Sequence, residues 1–207
     1  MWAGYAGFYG SGLNIHRTPY AGRVFEYYSE DGILTGLIDT YETIGIQSKG
    51  VYVYNKHFAL NDQELQRQGL GTWCNEQAMR EIYLKPFEMA IKEGGSLGVM
   101  SSFNYIGTEW AGGNSTLLTD LLRDEWGFEG LVITDAHVYP YMDTIAMSYA
   151  GGDLSLDAVG AWAPFDSHAG QLLDAAKDPD TQIGMTRNLF RASKNILYAV
   201  CQTWAVE

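Results

Sequence analysis

Leu131-Val132-Ile133-Thr134-Asp135 is the stretch on which the fold turns. Its β-favouring residues follow one another without polar alternation. That is the pattern of a strand buried on both faces, as in a parallel sheet. The run ends on a carboxylate. Just upstream, Leu117, Leu118, Leu121, Leu122 and Trp126 recur at helical spacing, and Gly127 stops them. A helix followed by a buried strand is the repeating unit of an α/β protein.

The same alternation extends outward. Leu97 to Met100 reads as the preceding strand and Asp153 to Ser155 as a following one. Val51-Tyr52-Val53-Tyr54 is β-branched and aromatic, hence a strand, and Leu13-Asn14-Ile15 is a brief candidate. Glu76 to Glu93 reads as helix, with Pro86 starting a second segment. Ser29 is placed to cap a helix in which Ile33, Leu34, Leu37, Ile38 and Tyr41 recur. Asp178-Pro179 opens a long final helix carrying Leu189, Ile196, Leu197, Val200 and Trp204. The polar stretch from His57 to Gly71 is too long for a simple connection and reads as a functional loop. Five βα units result. A doubly wound sheet and a (β/α)₈ barrel both satisfy them, and both place chemistry at the C-terminal strand ends. His16, Arg17, Lys56, His57, Asn104, Asp135 and Asp157 fall there.

Composition excludes several classes. Of 207 residues, 13 are Lys or Arg and 25 Asp or Glu, a formal charge of −12. A nucleic-acid partner needs a basic footprint, and an anionic membrane needs the same, so neither is expected. Cys74 and Cys201 form no disulfide framework. No apolar run reaches the ~18 residues of a membrane span, and the N-terminus lacks a signal pattern. The expectation is a cytoplasmic protein if the chain is complete as given. The 24 glycines, 6 tryptophans and 14 tyrosines suit many tight turns and aromatic ligand surfaces.

No phosphate loop, dinucleotide fingerprint or nucleophile elbow occurs. His16, His57, His137 and His168 have no ligand spacing, so neither a metal site nor a cofactor is expected. Asp135 remains as a carboxylate nucleophile towards an electrophilic carbon, held ionised by Arg23, Lys56 and Arg67. Position alone equally allows Asp135 to cap the following segment.

Asn14-Ile15-His16-Arg17-Thr18-Pro19-Tyr20-Ala21-Gly22-Arg23 and its continuation to Asp31 closely resemble the signature loop of glycoside hydrolase family 3. Gln47 to Gly50, Lys56 to Glu64, Arg80 to Glu88, Met100 to Asn104 and Leu122 to Asp135 continue the resemblance in order. It implies a partial (β/α)₈ TIM-type barrel, about five βα units, with residues 1–207 forming an incomplete catalytic barrel domain. It also implies a retaining β-glucosidase-like hydrolase acting on a β-glucoside or oligosaccharide, with β-xylosidase activity left open. Asp135 matches the nucleophile, and Arg23, Lys56, His57 and Arg67 match residues that hold the sugar. Phe103 stands where many members have Tyr, and Ala136 where many have Trp. The family's acid lies in a sandwich domain that nothing here resembles, so that domain or a second chain is expected as partner. A non-catalytic sugar-binding or assembly fragment is the other reading.

Overall fold

The computed structural model describes residues 4–157 and 167–206. Five parallel strands form one curled sheet: β1 (Gly7–Phe8), β2 (Tyr52–Phe58), β4 (Gly98–Ser101), β7 (Leu131–Ala136) and β8 (Leu154–Leu156), adjacent in that order. A small second sheet joins β3 (Gly71–Thr72), β5 (Tyr105–Ile106) and β6 (Glu109–Trp110) beside the strand ends. Helices connect the strands: α1 (Gly32–Gln47), α2 (Glu76–Ala78), α3 (Lys85–Lys92), the helix Thr116–Glu125, α4 (Thr144–Ala150), α5 (Ser167–Lys177) and α6 (Gln182–Val200). Strand order follows chain order throughout the main sheet. A doubly wound sheet reverses direction at a switch point and a barrel does not, so this is a partial (β/α)₈ barrel.

Several local expectations shift. Leu13-Asn14-Ile15 is not a strand. Gly12 makes isolated bridges to Tyr27 and Lys56, and the first strand lies earlier at Gly7–Phe8. Asp31, not Ser29, caps α1, its Oδ1 accepting from the Ile33 and Leu34 amides at 2.7 and 2.9 Å. Ser29 instead accepts from the Asp31 amide and sets up the cap. Pro86 does open a new helix at the first turn of α3, after a widened segment in which the Leu84 amide reaches back five residues to Met79. The last helix begins at Gln182, after a turn at Asp178, and α4 and α5 are helices that the apolar spacing did not mark.

The sheet is covered on both faces. Phe58, Val99 and Val132 pack against Phe87, Leu118, Leu122 and Trp126 on one side. Tyr54, Met100, Leu131 and Ile133 pack with Ala199 and Ile196 of α6 on the other. Fully burying such side chains contributes about 1.5–3 kcal/mol each.

The helix α1 packs differently. Its buried face is Gly32, Thr35, Gly36, Asp39, Thr40 and Thr43, while Ile33, Leu34, Leu37, Ile38, Tyr41 and Ile44 face solvent. A Cβ on Gly36 would lie 2.6 Å from Met89 Sδ and 3.2 Å from Pro86 Cα, so small residues are what let α1 approach α3. Among the described residues no helix is long and apolar enough to cross a membrane, and both cysteines are exposed and free.

Candidate active site

Two register shifts shape the rim of the sheet. The β2–β4 ladder shifts between Lys56 and Phe58, and the β7–β8 ladder between Ile133 and Ala136. Irregularities of this kind re-aim side chains at the end of a strand. They occur where Lys56, His57 and Asp135 leave the sheet.

His57 is buried and clamped by Asn14. Asn14 Oδ1 accepts from the His57 amide at 2.8 Å, and Asn14 Nδ2 donates to the His57 carbonyl at 3.0 Å. Arg23 NH2 lies 3.1 Å from His57 Nε2. A guanidinium can only donate, so Nε2 is an acceptor and the ring hydrogen sits on Nδ1. Burial holds the His57 pKa well below its ordinary value, with Arg23, Lys56 and Arg67 adding to the effect, so the ring is neutral.

This tautomer has a consequence for Asp135. Its Oδ1 accepts from the Ala136 amide at 2.7 Å. Its Oδ2 lies 3.5 Å from His57 Nε2 but has no hydrogen-bond partner among the described residues, because that nitrogen offers a lone pair rather than a hydrogen. One carboxylate oxygen is therefore anchored and the other is free. Burial raises the Asp135 pKa, and Arg67, Arg23 and Lys56 oppose the rise without cancelling it. The three cations thus restrain protonation, as the sequence suggests, but burial outweighs them.

The cations are themselves bridged by two glutamates. Arg23 Nε pairs with Glu26, and Lys56 Nζ lies 3.2 Å from the other Glu26 oxygen. Arg23 NH1 and Arg67 NH1 lie 3.4 and 3.1 Å from Glu64. Side chains of Arg23, Lys56, Arg67, Glu26, Glu64 and Asp135 carry three charges of each sign in one partly shielded network. Salt bridges lower the Glu26 pKa against the cost of its burial. Neither glutamate was singled out by sequence reasoning. The signal was present: Glu26 stands three residues after Arg23 and Glu64 three before Arg67, in loops the chain brings together.

Phe103 is buried with the Arg67 guanidinium carbon 4.4 Å from its ring centroid. Its ring meets Tyr139 edge-on at 5.2 Å, and Tyr139 stacks on Tyr141 at 5.7 Å. Ala136 packs in this same cluster. The aromatic surface next to Asp135 therefore comes from Phe103, Tyr139 and Tyr141 rather than from the residue after it. Asn104 is a tie between loops, donating to the Ala59 carbonyl at 3.1 Å. The six residues expected from the sequence, Asp135, Arg23, Lys56, His57, Arg67 and Phe103, are brought to one end of the sheet.

A second cluster forms on the same rim. His137, Asp157 and His168 present ligand-type atoms within 4.8 Å of one another. Their sequence spacing gave no hint of it.

A parallel barrel segment with a half-free carboxylate at a C-terminal strand end belongs to the (β/α)₈-barrel proteins. The pattern of the "Glycosyl hydrolase family 3 N terminal domain" matches residues 12–161, and the chain belongs to that family. It is 40% identical over 154 residues to the probable beta-glucosidase I of Aspergillus oryzae, covering 74% of this chain and 18% of that protein. It is 46% identical over 123 residues to a beta-glucosidase of Rhizobium radiobacter, covering 59% of this chain and 15% of that one. Among solved structures, beta-glucosidase 3B from Thermotoga neapolitana with alpha-D-glucose superposes with a TM-score of 0.87 at 33% identity. That match covers 96% of this chain and 27% of the other. The beta-glucosidase of Bifidobacterium adolescentis gives 0.85 at 36% identity, covering 97% and 28%. The chain spans less than a third of the length of each of these relatives.

Proposed function

We propose that residues 1–207 are the nucleophile-bearing part of a retaining β-glucosidase whose catalytic barrel is completed by polypeptide beyond them. The observation that carries this is the Asp135 carboxylate, with Oδ1 anchored on the Ala136 amide and Oδ2 unpartnered beside neutral His57. A nucleophile towards an anomeric carbon needs a lone pair free to attack, and Oδ2 offers one. Oδ2 attacks that carbon through an oxocarbenium-like transition state and forms a glycosyl-enzyme. Water then releases the sugar with retained configuration. Arg23, Lys56 and Arg67 hold sugar hydroxyls, and their charge keeps enough of Asp135 ionised despite its burial. The Phe103, Tyr139 and Tyr141 surface offers an apolar face for the sugar ring to stack on.

The reaction needs a general acid of raised pKa to protonate the departing oxygen. We assign that acid to the completing polypeptide, and with it the remaining barrel strands. The support is architectural. The main sheet has five strands among the described residues where closure takes eight, and the chain covers 18% of the A. oryzae relative.

The test uses an activated 2-fluoro-glucoside on the enzyme assembled around this chain. Peptide mapping is expected to find the label on Asp135, and a label on another carboxylate would overturn the assignment. Asp135→Asn is expected to lower turnover by about 10⁴-fold or more, as loss of a nucleophile does. The isolated chain is expected to hydrolyse an aryl β-glucoside negligibly; robust turnover by it would refute the incomplete-barrel reading.

A further inference from the structure

His137 is buried two residues past Asp135, and its two ring nitrogens have different partners. Nε2 lies 2.5 Å from the Met142 carbonyl oxygen, which only accepts, so Nε2 carries a hydrogen. In the neutral ring Nδ1 is then a bare lone pair. It lies 2.6 Å from Ser155 Oγ. The same Oγ lies 2.6 Å from Asp157 Oδ1, and His168 Nδ1 lies 2.5 Å from that carboxylate oxygen.

The hydrogens in this chain of contacts do not suffice. His168 supplies one to Asp157. Ser155 has a single hydroxyl hydrogen for two short contacts, one to His137 Nδ1 and one to Asp157 Oδ1. Whichever it serves, the other leaves two lone pairs facing each other at hydrogen-bond distance. A cation shared by His137 Nδ1 and Asp157 would remove the mismatch.

We propose that His137 Nδ1, Asp157 and His168 bind a divalent transition-metal ion of the zinc class at the rim of the sheet. The donor set of two imidazoles and a carboxylate suits such an ion, with Ser155 Oγ or water completing the shell. The hydrogen bond from His137 Nε2 to a backbone carbonyl is the usual outer-shell arrangement that fixes the tautomer of a ligating histidine. The rings of His137 and His168 stack at 3.8 Å with an interplanar angle of 14°, which brings the two imidazoles together; they tilt towards each other to aim both lone pairs at one ion. Donor atoms around a tetrahedral zinc stand about 3.3 Å apart given metal–ligand bonds of about 2.0–2.1 Å. The present separations, within 4.8 Å, shorten to that by side-chain rotation on binding. A cavity of about 280 Å³ lined by Met142, Asp143, His168 and Gln171 opens beside His168, with the Asp143 carboxylate on its wall.

The three ligands come from the end of β7, the end of β8 and the first turn of α5. The ion therefore pins three elements together next to the Asp135 site, and its role is to fix the rim. It does not touch the sugar chemistry, so this proposal stands or falls separately from the assignment of Asp135.

The test is calorimetric titration of the metal-stripped full chain with Zn²⁺, alongside Co²⁺ absorption spectroscopy. One Zn²⁺ per chain is expected to bind, to raise Tm, and to give with Co²⁺ the visible bands of a four-coordinate site. Asp157→Asn and His168→Ala, both at accessible positions, are expected to weaken binding by roughly 100-fold while the far-ultraviolet circular dichroism stays unchanged. Absence of stoichiometric binding by the unaltered chain would overturn the proposal. So would equal affinity in the Asp157→Asn/His168→Ala double variant.

Discussion

Two helices on the outside of the sheet solve the same packing problem in opposite ways. The helix Thr116–Glu125 turns Leu117, Leu118, Leu121 and Leu122 inward and keeps Asp120 and Asp124 outward. The helix α1 turns glycines, threonines and Asp39 inward and leaves six large apolar side chains on its outer face. The first gains stability by area removed from water. The second gains closeness: Gly32 and Gly36 let its backbone sit against Ile82, Pro86 and Met89, and Asp39 takes a hydrogen bond from Asn55 on β2 at 2.9 Å. An apolar stripe at helical spacing identifies a helix but does not say which way it faces. In a complete barrel the outer face of a helix has neighbouring helices to meet, and the α1 stripe is of a kind that such neighbours cover.

The contrast can be broken most sharply on the apolar side. Phe87 on α3 is fully buried and meets Phe58 edge-on at 5.0 Å. Phe87→Ala is expected to cost about 4 kcal/mol by chemical denaturation, through lost burial and the cavity left behind. A loss under about 1 kcal/mol would mean that this core is loosely packed.

On the polar side the expected sign is reversed. Burial is the largest cause raising the Asp39 pKa, to about 7; Glu42 adds to it, while Ser11, Thr43 and Asn55 oppose. In the unfolded chain the same group titrates near 3.9. Between these values the folded state holds a proton that the unfolded state has lost, so stability falls as pH rises and the loss is complete above about pH 7. Three pKa units correspond to about 4 kcal/mol. An amide returns about half of that, since it has one acceptor oxygen where the carboxylate has two. Asp39→Asn is therefore expected to stabilise the chain by about 2 kcal/mol at pH 8 and to change little at pH 4. Equal effects at both values would show that Asp39 is ionised in the fold.

Gly36→Ala sets two terms against each other. Alanine gains about 1 kcal/mol of helix propensity, and the contact with Met89 and Pro86 costs about 1–3 kcal/mol. A net loss of about 1 kcal/mol is expected, and a net gain would show that α1 and α3 have room to part. The smallest effect belongs to the outer stripe. Leu37→Ser is expected to change the stability of the isolated chain by less than about 0.5 kcal/mol while lowering its binding of an apolar dye. A larger loss of stability would place Leu37 against a partner.

The sequence made the sheet legible because buried parallel strands are runs of apolar residues that stop at polar ones. Asp135, Lys56, His57 and Asn104 could be placed at strand ends for that reason. Arg23, Arg67 and Phe103 lie in loops; the two arginines were named as cations for Asp135, but their sugar-holding role and Phe103 came from family resemblance, since nothing in local spacing ties a loop residue to a strand end. Glu26 and Glu64 carry the bridging charges, yet a glutamate near an arginine is common on any surface. His137 and His168 are 31 residues apart, and only the folding of β7, β8 and α5 stacks them. The direction of α1 was illegible because its inner face is made of residues that periodicity counts as neutral.

Trp204, just past the end of α6, joins the two ends of the described chain. The Trp204 amide donates to the Gly50 carbonyl at 3.1 Å, and its indole Nε1 donates to the Tyr5 carbonyl at 3.1 Å. Tyr5 and Trp204 are thus neighbours, and the described chain has adjoining ends. It can be circularly permuted, its ends joined by a few flexible residues and the chain reopened at the exposed turn around Asp178, without parting any pair of strands.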